Sequence, residues 1–291
     1  MNGKERLVLF SILLLAMLLL PLTVKAASED EIVAEYLANH ELKQPHTLIA
    51  PFFSISYGKV DPSGYHYFAR SVNGSVQPKS PGTPVPLSSI YRITSFEGGF
   101  GVGVDRGMLS FGFNYWLNAG SANSGNYQVA VDFAAGLSED LSDFTFRSEI
   151  KTWGVFLDYQ YFIANPPIAF MQPRGISLRM GGGLGYYTGY WYLWDGFGGI
   201  RTDTGEFYEL KDHLKGSGMG LHLSAGAEYP FWKGFLFAFD AKYMWLKFDR
   251  MRKKVSPTYE LYLVDNATGN PIQVDFTGPR AIFTIKHYFT L

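Results

Sequence analysis

Residues Gly175–Trp194 read GISLRMGGGLGYYTGYWYLW. Successive side chains of a β-strand point to opposite faces. One face then carries Ile176, Leu178, Met180, Gly182, Leu184, Tyr186, Thr188, Tyr190, Tyr192 and Trp194. The other carries Ser177, Arg179, Gly181, Gly183, Gly185, Tyr187, Gly189 and Trp191. A helix is disfavoured, because each glycine in the run costs about 1 kcal/mol relative to alanine. A soluble barrel would turn the large apolar face inward; a membrane barrel turns it out to lipid and keeps small and polar groups inside. Alternation alone does not choose between them, but glycine does. The inside of a narrow barrel has little room, whereas glycine on a solvated face only weakens a strand. The stretch therefore predicts a membrane strand with Arg179 in the lumen.

The compartment follows from the N-terminus. Lys4 and Arg6 precede an apolar run, Leu7–Leu20, and Val24-Lys25-Ala26 offers small residues at the −3 and −1 positions of a cleavage site. We read residues 1–26 as a secretory signal. No other run approaches the roughly 20 apolar residues of a spanning helix, so a membrane-resident mature chain must be a barrel. The formal net charge is −1 and becomes more acidic once Lys4, Arg6 and Lys25 leave with Glu5, so there is no basic field for nucleic acid. There is no cysteine, which excludes disulfides, thiolate metal sites and a lipidated N-terminal cysteine. The histidines, His40, His46, His66, His213, His222 and His287, lack ligand spacing, so no metal or other cofactor is expected.

In chain order, Ser28-Glu29-Asp30-Glu31 forms a capping box and Ile32, Val33, Tyr36 and Leu37 share a stripe, predicting a short periplasmic helix within residues 27–45. Residues 46–291 then predict an all-β, eight-stranded, antiparallel up-and-down barrel. Its strands are 46–57, 90–104, 108–117, 144–162, 175–194, 218–229, 235–248 and 280–291. Phe144, Phe146 and Ile150 run out of phase with Trp153–Tyr161, predicting a bulge near Lys151–Thr152. Residues 58–88, 118–143, 195–217 and 249–275 read as long loops, with a strand extension at 127–133 and a protruding hairpin at 259–276. If both were full members the barrel would have ten strands. Long and short connections alternate, as in membrane barrels with long extracellular loops and short periplasmic turns.

RMGGGLGYYTG (179–189), GLHLSAGAEYPF (220–231), FDAKYMW (239–245) and the alternating last strand resemble the small eight-stranded outer-membrane barrel superfamily that includes OmpA, OmpX and OmpW. The resemblance implies an outer-membrane location and insertion by the barrel-assembly machinery, which reads the C-terminal strand. The family usually ends in Phe or Trp; this chain ends in Leu291, with Phe289 two positions back.

The expected lumen charge network is Glu97, Asp158, Arg179, His222, Glu228, Asp240, Lys242 and Lys286, with Arg280 near the rim. Buried charges must pair or stay hydrated, so Arg179 should reach Asp158, Glu228 or Asp240. Loop aromatics Tyr65, Tyr67, Phe68, Phe197, Tyr208, Tyr259 and Tyr262 form either a surface for an external ligand or internal loop packing. Arg250, Arg252, Lys253 and Lys254 are the expected contact for lipopolysaccharide-type headgroups. The expected function is a structural or surface-interaction barrel acting through its loops, not an enzyme. Two alternatives stand beside it. One is a narrow channel for small, hydrophobic solutes, as the OmpW resemblance implies. The other is a lipid A deacylase-like enzyme, because those barrels similarly carry His-x-Ser, here His222 and Ser224, with a Glu. Ser224 and Glu228 lie about 14 Å apart along one strand, too far for a relay.

Overall fold

The computed structural model describes residues 48–291 apart from positions 86, 105, 133–136, 165–174, 195–211, 233, 255–259, 265–267 and 291. The expected signal and the helix at 27–45 lie outside the described residues. Eight antiparallel strands close the barrel: β1 (Leu48–Lys59), β3 (Arg92–Val104), β4 (Gly107–Asp132), β5 (Leu137–Ala164), β6 (Ser177–Trp194), β7 (Asp212–Trp232), β8 (Phe235–Phe248) and β12 (Gly278–His287). Closure is made by β12 pairing β1 through Ser54↔Thr284, and β8 on its other side through Ala241↔Ala281. Of the 127–133 stretch, residues 127–132 belong to β4 and add no barrel member, while residue 133 lies outside the described residues.

The outer wall is apolar all the way round. Phe53, Ile55, Phe111, Phe113, Val155, Leu157, Met180, Leu184, Leu221, Leu223, Phe239, Phe283 and Ile285 are all exposed. On β5 the belt is bounded by Trp153 at one end and Tyr159 and Tyr161 at the other. A continuous exposed apolar surface with aromatic edges is what lipid requires and water penalises. No described helix is long and apolar enough to cross a membrane, so the strands do the crossing. This closed barrel, apolar outside and charged inside, is an outer-membrane protein.

Inner-wall glycine has a specific use here. A Cβ at Gly185 or Gly220 would come within 2.7 or 2.8 Å of the Tyr187 ring, and one at Gly154 would meet the same ring. The glycines form a bed on which Tyr187 lies flat, an arrangement known as aromatic rescue.

The long connections are more ordered than their composition suggests. Residues 58–88 contain helix α1 (Ser63–Ser75) and strand β2 (Val76–Pro78), the latter paired to β4 at Val76↔Val129. Tyr65, Ala69 and Val72 give α1 an apolar stripe at i, i+4 and i+7; Gly64 and Gly74 mask that signal in the sequence. At Gly64 the helix backbone approaches the 272–273 segment so closely that a Cβ would strike the Gln273 carbonyl. Residues 118–143 are not a loop either, since β4 and β5 run on as one hairpin to residues 132 and 137. Likewise β7 begins at Asp212, inside the expected third loop.

The bulge sits beside its expected place. Trp116 faces Thr152 and Ala119 faces Ile150, so the extra residue is on β4 rather than β5. β5 keeps its phase, with Ser148, Ile150 and Thr152 all buried. Ile150 is apolar because it faces an apolar plug inside the barrel. The side chains of Phe144 and Phe146 lie outside the described residues.

The protruding hairpin is only partly present. Short strands β9 (Arg252–Lys254) and β10 (Glu260–Tyr262) pair, and Val264 bridges Pro271. The remainder turns inward: β11 (Val274–Asp275) pairs β8, and Ile272, Val274 and Phe276 are buried. Finally β13 (Phe289–Thr290) pairs the start of β1.

Candidate functional site: the closed lumen

The lumen is a column of polar groups between two apolar seals. Alternation on β3, β5, β6, β7, β8 and β12 turns Glu97, Asp158, Arg179, His222, Glu228, Asp240, Arg280 and Lys286 inward, and each is less than a tenth exposed.

Nearest the short turns, Arg179 is held on two sides. Its Nη1 donates to Glu228 Oε2 at 2.8 Å, and its Nε and Nη2 donate to Asp240 at 3.1 and 2.7 Å. The fork on Asp240 is the bidentate geometry that suits guanidinium to carboxylate. Glu228 also receives Lys286 Nζ at 2.5 Å and the Tyr288 hydroxyl at 2.5 Å. Five side chains from four strands and the segment after β12 thus satisfy one another.

Above them His222 Nε2 lies 2.8 Å from Asp158 Oδ1. Across the lumen Lys242 Nζ sits 3.3 Å from Glu97 Oε2, and Asn114 donates to Glu97 Oε1 at 2.8 Å. The Lys242 contact is long, and Asn114 shares the carboxylate. Lys242→Met therefore costs about 1–3 kcal/mol, read as the urea midpoint for loss of the folded, fast-migrating band.

A cavity of about 40 Å³ lies within this column, lined by Glu97, Asp158, Arg179, Asp240, Lys242 and Lys286 among others. At 10–15 Å³ per water, it holds only a few water molecules.

Toward the long connections the column ends in rings. Arg280 stacks over Trp116, its guanidinium carbon 4.3 Å from the ring centroid. It is buried there rather than lying at the rim. Trp116 meets Phe276 edge-on at 5.1 Å, and Phe276 meets Phe248 at 5.9 Å. Further up, Trp191 donates its indole N–H to Ser148 Oγ at 2.8 Å and packs against Phe68 and Tyr65 of α1. The Tyr65 hydroxyl donates to the Ser148 carbonyl at 3.1 Å. Tyr65 and Phe68 therefore belong to the plug, while Tyr262 is exposed beneath Arg250, 5.3 Å away. Phe197, Tyr208 and Tyr259 lie outside the described residues. Two further contacts pin the cap. Asn73 donates to the Leu87 carbonyl at 2.7 Å and accepts from its amide at 3.0 Å. At the opposite end Leu48, Ala50, Met108 and Phe162 pack with Tyr288 and close the floor.

The basic run is divided. Arg252 is engaged by Glu260 through both carboxylate oxygens, at 2.7 and 2.8 Å. Arg250, Arg252 and Lys254 are exposed and Lys253 is half-buried. Sequence reading missed Lys215 and Lys151, which sit over Tyr190 and Tyr192 on the same flank. Register aligns Lys151, Tyr190, Lys215 and Arg252 across four strands.

His222 and Ser224 both face the lumen and are buried. Acyl chains lie outside the wall, and Glu228 is engaged by Arg179, Lys286 and Tyr288. The three residues share a face but are not assembled as a relay directed at lipid.

No family model matches the chain, and no curated protein matches it in sequence. Among solved structures, it is similar to Neisserial surface protein A, with 9% identity over 83% of this chain and 97% of that one, TM-score 0.39. It is similar to outer membrane protein OprG from Pseudomonas aeruginosa, with 14% identity over 84% and 95% and a TM-score of 0.37. It is also similar to Ail, the attachment invasion locus protein of Yersinia pestis, solved with the heparin analogue sucrose octasulfate. That match has 8% identity over 84% and 100% and a TM-score of 0.33.

Proposed function

We infer that this chain is a sealed outer-membrane anchor whose work is done outside the barrel, on the surface built by α1, β2 and the β4–β5 hairpin. The observation that carries the reading is the lumen itself. Apart from Arg280, its charges pair with one another, the cavity among them is about 40 Å³, enough for a few waters, and packed side chains fill both ends. A conduit needs a continuous path, and the packing of the described residues supports none.

The hairpin supports the same reading. A membrane strand needs about 9–11 residues, whereas β4 has 26 and β5 has 28. More than half of each strand continues past the membrane. β2 joins it as a third strand, giving a rigid platform in place of mobile loops. Flat, exposed strand surfaces and edges are natural places for another macromolecule to dock. The aligned Lys151, Lys215 and Arg252 lie where the outer leaflet's phosphate groups would meet the wall, and they support a lipopolysaccharide-type headgroup as the lipid partner. Assembly-machinery recognition of the last strand is part of the same proposal.

The test is solute flux through liposomes carrying the refolded chain, with small polar and small hydrophobic solutes. The expected flux is that of empty liposomes. Flux well above that background, from barrels with folded gel mobility, would overturn the sealed-anchor reading in favour of a channel.

A further inference from the structure

We propose that the upper lumen holds a small monovalent anion, of halide or carboxylate chemistry, on Arg280, Trp116 and Thr152.

Arg280 is set apart from the other inward bases. Arg179 has Glu228 and Asp240, Lys286 has Glu228, and Lys242 has Glu97. Arg280 is 3% exposed, yet among the described residues its Nε, Nη1 and Nη2 have no hydrogen-bond acceptor. A buried guanidinium without an acceptor is among the costliest groups a protein can hold. Stacking on Trp116 offsets part of that cost but leaves the in-plane N–H groups unsatisfied.

The neighbours make the same demand. Trp116 Nε1 is a buried donor without a partner among the described residues, and the Thr152 hydroxyl, which can donate or accept, is likewise without one. Trp116 and Thr152 are register partners on adjacent inward faces, which puts their β-carbons about 5 Å apart. The indole N–H and the guanidinium can only donate. Asn114 Oδ1, two residues before Trp116 on the same inward face, is a buried acceptor without a partner among the described residues. The unmet capacity is therefore mainly that of donors around one fixed positive charge, which is complementary to an anion. The nearest carboxylate in the network, Glu97, is already shared by Asn114 and Lys242.

The walls limit the size of the occupant. Trp116 is flanked by Phe276 at 5.1 Å and Tyr187 at 6.0 Å. The stem of Arg280 is pressed against Gly58, where a Cβ would lie 2.7 Å from Arg280 Cγ. This enclosure suits an ion with few atoms and excludes a phosphate-bearing lipid. Ile282, two residues beyond Arg280 on the same inward face of β12, lines the water-sized cavity, so hydrated space lies next to the site.

The test is crystallisation of the full refolded chain from bromide, with anomalous scattering read at Arg280. Alongside it, thermal midpoints are compared in chloride, bromide, formate and sulfate at one ionic strength. The expected results are a bromide peak at the in-plane N–H edge of the Arg280 guanidinium, and higher midpoints in the small anions than in sulfate. Bromide above formate indicates a halide site, and the reverse indicates a carboxylate site. Arg280→Gln should weaken the apparent affinity about tenfold or more. If that variant fails to fold, Thr152→Val, which removes only the hydroxyl, should weaken it by a smaller factor. Density that refines as water without anomalous signal, together with midpoints that do not depend on the anion, would overturn the proposal. The liposome result is independent of it, since a sealed barrel with or without an ion shows no flux.

Discussion

Arg179→Met lowers the stability of the barrel by about 3–5 kcal/mol, the range for removing one partner of a buried ionic group. Methionine fills a similar volume, so the effect is electrostatic rather than a cavity. It leaves Asp240 without its bidentate partner and Glu228 facing only Lys286 and Tyr288. Because both carboxylates are buried, water cannot replace the lost donors cheaply. Arg179→Lys keeps the charge and loses the fork, so it should fall between wild type and Arg179→Met. The measurement is the urea midpoint of the folded band for the three proteins in one detergent. An unchanged midpoint in Arg179→Met would show that the cluster is hydrated enough to tolerate the loss, and the sealed floor of the lumen would be wrong.

The second large effect belongs to the opposite end. Trp191→Ala costs about 3–5 kcal/mol, as large-to-small changes of buried aromatics do. Trp191 is fully buried, bonded to Ser148 and packed on both Phe68 and Tyr65. Its loss removes the surface on which α1 sits. Limited proteolysis should then cut within residues 63–75 at low protease, while the barrel keeps its folded mobility. Trp153→Ala is the control, because Trp153 lies on the lipid-facing wall and should leave α1 as protected as in wild type. Equal protection of α1 in the Trp191 and Trp153 variants would show that the helix is held by something other than the aromatic plug.

These two residues also show how differently the two ends of the barrel could be read. Arg179 stands among glycines on one face of an alternating strand, and period-two alternation is a local property written into the chain itself. The direction it faces therefore follows from residues 175–194 alone. Trp191 continues that same inward face, yet nothing nearby in sequence says what it meets. Ser148 comes from β5, the strand paired beside it, while Tyr65 and Phe68 come from α1, which reaches Trp191 only in the folded barrel.

The same reasoning explains the misread connections. Residues 58–88 look like loop because glycine, proline and serine dominate them, yet Tyr65, Phe68, Ala69 and Val72 carry a helical stripe that needs a core to cover. That core is supplied by Trp191 of β6 and by the 272–273 segment, within one buried cluster that also holds Phe248 and Phe276. Ile150 looked out of phase because apolar residues were assumed to face lipid; inside a plugged barrel the upper inner wall is apolar as well. The 272–276 segment appeared to be one arm of an exposed hairpin, and its alternate residues instead fill the mouth of the barrel.

By itself the sequence determined that strands cross the membrane and which face of residues 175–194 meets lipid, because alternation is a local signal; it left eight and ten strands both open. Only the tertiary structure decided that eight strands close the barrel, which carboxylate holds which base, and that Arg280 has none among the described residues. Those outcomes depend on distances between strands far apart in the chain, and such distances exist only once the barrel has closed.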